Sequence, residues 1–277
     1  MCLILFSYDP SSNKPLLLAA NRDEFFSRPT AAAHEWDDFP NVFAGRDLVA
    51  QGTWLGITAN GRFAAITNIR EPSVVVENPL SRGDLTRRFL TSHMSAKEYL
   101  TDIESVKHRY CGFNLLVGEL GAPKRELWYL SNRGGKSQRL SAGTYGLSNH
   151  LLDSAWPKVT TGKIFMKVTQ SQMTFIQAGY KEQHQKLRAY LENHSLADDN
   201  ILPKTGVSYQ REKALSAAFI TLSDYGTRTS TVLSIENDTV AFSEKSYQLE
   251  LSQLIPEGHE YTYKEWSLQS KTWGAVG

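Results

Sequence analysis

The sequence begins Met1-Cys2-Leu3-Ile4-Leu5-Phe6-Ser7-Tyr8, and how these eight residues are read decides how the rest of the chain is understood. The small side chain at position 2 allows removal of the initiator methionine, which would expose Cys2 at the head of an apolar, strand-like run. An N-terminal cysteine carries a thiol of pKa about 8.5 and an α-amine of about 7.7 to 8.0. In that pairing the terminal amine activates the side chain that attacks. The alternative is that Cys2 is a small apolar residue opening a buried strand, as free cysteines commonly are. Taken alone, the eight residues favour this alternative.

Working outward, Asp9 to Pro15 is rich in turn formers, and Leu16 to Ala20 is a second apolar run. The two runs read as a hairpin. Its second arm delivers Asn21-Arg22-Asp23-Glu24 beyond the strand end, where four polar residues in succession would line a pocket beside Cys2. Arg28 to Pro40 reads as irregular. A second hairpin, Gly52–Thr58 and Phe63–Asn68, is signalled by Asn60-Gly61, because both positions tolerate positive φ. Helices are expected over Gly83–Ser92, with Ser81 as cap, and over Ala96–Val106. Strands are expected at Phe113–Gly118 and Glu126–Leu130, with a short segment at Thr144–His150. Helices follow at Val159–Gln170 and Glu182–Glu192, then a loose connection over Asn193–Ser208. The closing strands are placed at Ala217–Leu222, Thr229–Ile235 and Val240–Glu244. This order suggests helices packed outside two sheets in a single domain spanning residues 1–277.

Composition narrows the function classes. Thirty Lys and Arg against 29 Asp and Glu leave a formal charge of +1, so no global field favours nucleic acid or an anionic membrane. Two cysteines, Cys2 and Cys111, are too few for a disulfide framework and suit a reducing compartment. The N-terminus has no basic leader region, and there is no apolar run of spanning length. A soluble cytoplasmic protein without stable membrane insertion is therefore expected. The seven histidines show no metal-binding i, i+4 pair, and neither a Walker loop nor a Gly-x-Ser-x-Gly elbow occurs. No structural metal is expected.

What remains is Cys2 together with Asp23, Asn68, Asn149 and Arg228. An N-terminal nucleophile needs a group to hold its amine, donors for a developing oxyanion and often a cation near the thiolate. These residues match those needs by type. Each of them also suits the plainer role of a strand-end residue satisfying nearby backbone groups.

At this point the chain becomes recognisable. Asn21-Arg22-Asp23-Glu24, Gly45-Arg46-Asp47, Gly52-Thr53-Trp54-Leu55-Gly56, Phe113-Asn114-Leu115, Asn132-Arg133-Gly134, Gly143 to Asn149 and Tyr225-Gly226-Thr227-Arg228 resemble, in order, the transport and Golgi organisation protein 2 (NRDE) family. The resemblance implies an α+β fold, a four-layer αββα sandwich of the N-terminal-nucleophile hydrolase type, similar to choloylglycine hydrolases. It implies roles for Cys2 as nucleophile, Asp23 as the acid beside the amine, Asn68 and Asn149 as oxyanion-side amides and Arg228 as a late-strand arginine. Asn21, Arg22, Glu24 and Arg46 are expected to shape the ligand-binding wall. Those amidases carry an arginine three residues before the acid, where this chain has Ala20; Arg22 is expected to point to the other face. The resemblance further implies reversible binding and trafficking of heme, or a similar amphipathic ligand, between donor and acceptor proteins. No Cys-x-x-Cys-His attachment motif is present. The other expectation is a Cys2 amidohydrolase working through an acyl-enzyme.

Overall fold

The computed structural model describes residues 2–121, 123–176, 179–247 and 259–268. In chain order its elements are β1 (Cys2–Tyr8), β2 (Leu16–Phe25), β3 (Thr30–Trp36), β4 (Phe39–Asp47), β5 (Leu55–Thr58), β6 (Arg62–Asn68), α1 (Arg82–Thr91), α2 (Ala96–Val106), β7 (Phe113–Glu119), β8 (Glu126–Ser131), β9 (Gln138–Arg139) and β10 (Gly143–Leu147). They continue with α3 (Pro157–Ile176), α4 (Tyr180–Leu191), α5 (Tyr209–Ala214), β11 (Tyr225–Glu236), β12 (Thr239–Tyr247) and β13 (His259–Ser267).

The strands form two antiparallel sheets, ordered β10-β1-β2-β11-β12-β13 and β3-β4-β5-β6-β7-β8-β9. Strand periodicity explains why Leu3–Phe6 of β1 and Leu16–Ala20 of β2 are apolar without alternation: successive residues face opposite sides of the sheet, and here both sides are covered. Ile4, Phe6, Tyr8, Leu16, Leu18 and Ala20 enter the core between the sheets. Leu3, Leu5, Leu17 and Ala19 pack against Val159 and Met166 of α3 and Leu187 and Leu191 of α4. On the far side of the second sheet, Leu85, Phe89 and Leu90 of α1 and Tyr99, Leu100 and Ile103 of α2 join the inter-sheet core cluster. The result is the αββα layer order that the resemblance implies.

Both expected hairpins are present. Tyr8 faces Leu16 and Cys2 faces Arg22 across the first; in the second, Gly61 takes a φ of +85°, a left-handed conformation that glycine adopts without cost. Helix α2 begins with a reciprocal cap, in which Ser95 Oγ accepts from the Glu98 N–H and the Glu98 carboxylate accepts from the Ser95 N–H. Ser81 precedes α1 as expected but makes no side-chain cap bond.

Four expectations are corrected. Asn21–Glu24 lies inside β2, whose ladder with β11 runs on to Phe25. Arg28–Pro40 contains β3 and the start of β4; Pro40 falls where the β3–β4 register shifts, so its missing N–H breaks no regular ladder. Ala217–Leu222 is not a strand, apart from a bridge from Thr221 to Gly226. Two of its carbonyls are taken by side chains instead: Asn21 Nδ2 donates to Ala218 and Lys158 Nζ to Ala217. Lastly, β11 begins at Tyr225, ahead of the expected strand start at Thr229.

Candidate functional site

The sheets part at the end of the sandwich where β1 begins, leaving a cleft of about 300 Å³. Cys2, Arg22, Asp23, Glu24 and Asn68 line it, facing a second wall that includes Asp47, Trp54, Leu80, Arg82 and Cys111. Two close backbone approaches build this wall. A Cβ on Gly52 would stand 2.5 Å from the Gly83 backbone, so the loop before β5 meets the start of α1 only because position 52 is glycine. The Thr53 N–H then donates to the Gly83 carbonyl at 3.2 Å.

Register places Cys2. Its neighbour on β1, Ile4, points between the sheets, so by strand period Cys2 does too; its carbonyl accepts from Ser148 Oγ at 3.0 Å. Burial pushes the thiol pKa up; a positive chain terminus and Arg22 oppose this, as does the Asp23 N–H, while the Asp23 charge reinforces it. Asp23 is 1% exposed. Its Oδ1 accepts from Thr227 Oγ1 at 2.7 Å, and its backbone carbonyl accepts from the Tyr225 hydroxyl at 2.8 Å. Burial raises this carboxyl as well, against the opposing charges of Lys158, the chain terminus and Arg70.

Lys158, in the first turn of α3, is the principal site residue that the sequence reading missed. It is 4% exposed and donates to the carbonyls of Leu215 at 3.0 Å and Ala217 at 3.3 Å. Desolvation lowers its pKa to about 8, with Asp23 and Cys2 pulling the other way. Pro157 marked the helix start, but nothing in the sequence marked the next residue as buried. Behind it, Arg70 and Glu212 form an ion pair in which each side chain is 5% exposed.

The asparagines separate by role. Asn149 is fully buried, and its Nδ2 donates to the Asn68 carbonyl at 2.9 Å, fixing the end of β6. Asn68 presents a half-buried amide to the cleft, and among the described residues that amide has no hydrogen-bond partner.

Strand alternation sorts the Asn21–Glu24 cluster. Asn21 turns toward the helices, donating to Leu191 and Ala218 carbonyls at 2.8 Å and accepting from Ser230 Oγ at 2.6 Å. It does not line the cleft. Arg22 and Glu24 do. The expectation that Arg22 points away from the arginine position of the amidases is also corrected: Arg22 lies two residues from Ala20, and an offset of two keeps the face. Its guanidinium stacks over Trp54 at 4.3 Å, lies 3.8 Å from both Glu24 and Asp47, and donates to Thr30 Oγ1 at 3.2 Å.

Arg228 and Arg46 lie elsewhere. Arg228 sits where the β2–β11 register shifts between Thr227 and Thr229. A bulge re-aims a side chain, and this one donates to the carbonyls of Phe25, Phe26 and Arg28. It staples the turn after β2. Arg46 pairs with Asp38 through both terminal nitrogens and stacks over Trp36 at 4.2 Å. Neither residue lines the cleft.

Fold and site together define an αββα sandwich protein with a buried thiol at the head of an inner strand, facing a charged cleft between its sheets. The chain belongs to the Transport and Golgi organisation 2 family, whose model matches residues 1–249. Its relatives include the Transport and Golgi organization protein 2 homologs of Bos taurus, 38% identical over 98% of this chain and 100% of that one, and of Homo sapiens, 33% identical over 95% and 99%. Among solved structures it is similar to the C2A mutant of conjugated bile acid hydrolase from Clostridium perfringens, with a TM-score of 0.47 at 10% identity over 99% and 100% of the two chains. It is also similar to a Caenorhabditis elegans ortholog of N-acylethanolamine-hydrolyzing acid amidase, with a TM-score of 0.41 at 10% identity over 67% and 85%.

Proposed function

We propose that the cleft beside Cys2 reversibly holds an amphipathic ligand bearing an acidic group, heme foremost, and that the protein acts in the cytoplasm as its carrier between donor and acceptor proteins. The observation that carries this reading is the contrast between the charged lining of the cleft and the exposed apolar side chains at its edge. Arg22, Arg28 and Arg82 line the cleft, together with Asp23, Glu24 and Asp47. Beside it, Leu48 and Val49, 47% and 59% exposed, lie between the cleft residues Asp47 and Ala50, and Leu80 of the same wall is 37% exposed. A ligand with a charged edge and an apolar body meets both requirements at once. At about 300 Å³ the cleft is at the small end for ligand sites, so it grips an edge while the body lies across the rim.

Titration with hemin tests this. A saturable Soret shift at one hemin per chain is expected. Cys2 and Cys111 are the residues lining the cleft that suit iron, and the half-exposed Cys111 is the accessible one. Cys111→Ala should move the Soret band and Cys2→Ala should leave it in place. An unchanged spectrum on hemin addition would sink the reading.

One observation favours a second reading, thiol-dependent amide cleavage: the uncommitted amide of Asn68 shares the cleft with Cys2, as an oxyanion donor must. Here methionine removal frees the Cys2 amine, Asp23 holds it, and the thiol forms an acyl-enzyme. Intact-mass measurement with a panel of amides checks both parts. Retained Met1, or no acyl adduct on the Cys2 peptide, counts against it.

A further inference from the structure

The three arginines of the cleft are not equivalent. Arg28 is bound through two nitrogens to Asp47, at 2.9 and 3.1 Å, and Arg22 lies between Glu24 and Asp47. Asp23 is already under the opposing charges of Lys158 and Arg70. Arg82 has no such match: among the described residues no carboxylate forms an ion pair with it. Glu24 and Glu71 act on it only at a distance, and Glu71 is already engaged through both oxygens by Arg133. One nitrogen of Arg82, Nη1, donates to the Gly112 carbonyl at 3.1 Å, which fixes the side chain against the Cys111 segment. A guanidinium has five N–H donors in a planar fork. With one donor committed, Arg82 keeps an edge that can accept both oxygens of a carboxylate.

We propose that Arg82 is the anion subsite of the cleft, receiving a carboxylate of the ligand while the ligand body crosses the Leu80 and Val49 rim. This deepens the reading of the cleft as a ligand site: it makes the ligand an amphipathic carboxylic acid and gives the selection for it to one residue. Cys111 lines the same cleft and lies close enough to Arg82 for their charges to interact, so its thiol can report on the field there.

The test alkylates the native protein with iodoacetate, an anion, and with iodoacetamide, its neutral counterpart, and reads both rates at the Cys111 peptide by mass spectrometry. In each reaction the thiolate sulfur bonds to the reagent methylene and iodide leaves. The ratio of the two rates therefore cancels any change in thiolate fraction and leaves the attraction for the carboxylate. In Arg82→Gln the iodoacetate-to-iodoacetamide ratio should fall about tenfold, within the range that charged clefts produce, and Arg82→Lys should restore most of it. On the wild-type protein, raising the salt to about 1 M should lower the ratio in the same direction, since the screening length shrinks to about 3 Å. A ratio unchanged by Arg82→Gln, or insensitive to salt in the wild type, overturns the proposal. Hemin plays no part in this measurement, so a failed hemin titration would remove heme as the cargo without touching the Arg82 assignment, and the reverse holds.

Discussion

Two buried polar constellations sit on the helix-facing side of the first sheet, and they differ in one respect. Under α4, His184 is fully buried, with its ring nitrogens bonded to Ser243 Oγ at 2.8 Å and Ser234 Oγ at 2.9 Å; Arg188 donates to the same Ser243 at 2.9 Å. Under α3, Asp23, Lys158 and Thr227 are equally buried. By residue type, a serine–histidine cluster looks the more catalytic. Yet none of the histidine cluster lines the cleft beside Cys2, and both of its ring nitrogens are committed, whereas Asp23 lines the cavity that also exposes Cys2. Burial with full hydrogen bonding gives structure; burial against an opening gives chemistry.

The comparison breaks most visibly at Asp23. Removing one member of a buried set of opposite charges strands the others, typically at about 3 to 5 kcal/mol. Asp23→Ala leaves Lys158 in its dry pocket with its main counter-charge gone, so a loss of that size is expected in urea denaturation, together with loss of hemin binding. Wild-type stability and affinity would show that Asp23 is an ordinary strand residue.

His184→Ala should cost less, about 2 to 3 kcal/mol, through a cavity and stranded hydroxyls. Here the hemin affinity and the Cys111 alkylation rates should stay at wild-type values. A change in either would show that the two constellations are coupled through α4 and the sheet.

The same histidine predicts a pH dependence. Burial depresses its folded pKa to about 3, with Arg188 adding to the shift, while in the unfolded chain it titrates near about 6.5. Between these values the unfolded state holds more protons, so stability rises with pH there. This contribution is intact above about pH 6.5 and is lost as pH falls toward 3, at up to about 1.4 kcal/mol per unit. Urea midpoints measured between pH 4 and 7 should show the slope, and His184→Gln should flatten it.

The contrast also explains what the sequence could convey. Period and turn chemistry gave away β1, β2, the Asn60-Gly61 hairpin and α2, because those elements obey local rules. The Cys2–Asp23–Asn68 grouping was legible from residue types next to apolar runs, although Asp23 lies within β2 rather than beyond its end. What stayed hidden depends on tertiary placement. Lys158 looks like any first-turn lysine until α3 is laid on β1 and β10, and Arg82 is ordinary until its neighbours are seen to pair with one another. Arg228 was misplaced for the same reason: a bulge between Thr227 and Thr229 turns its side chain from the cleft to the turn after β2.

That reassignment yields the smallest expected effect. If Arg228 were a cleft cation, Arg228→Ala would lower affinity for an acidic ligand by tenfold or more. As a staple, it holds the carbonyls of Phe25, Phe26 and Arg28 through a single nitrogen, Nη1, on a half-exposed side chain. Water can replace much of what it supplies there, so the loss should be about 1 kcal/mol. Arg28, at the far end of that turn, keeps its own two-point bond to Asp47 in the cleft wall, so loosening the staple should barely reach the cleft. The variant should therefore melt slightly earlier while hemin affinity and the iodoacetate-to-iodoacetamide ratio at Cys111 stay within twofold of wild type. A tenfold loss of affinity with unchanged melting would return Arg228 to the site.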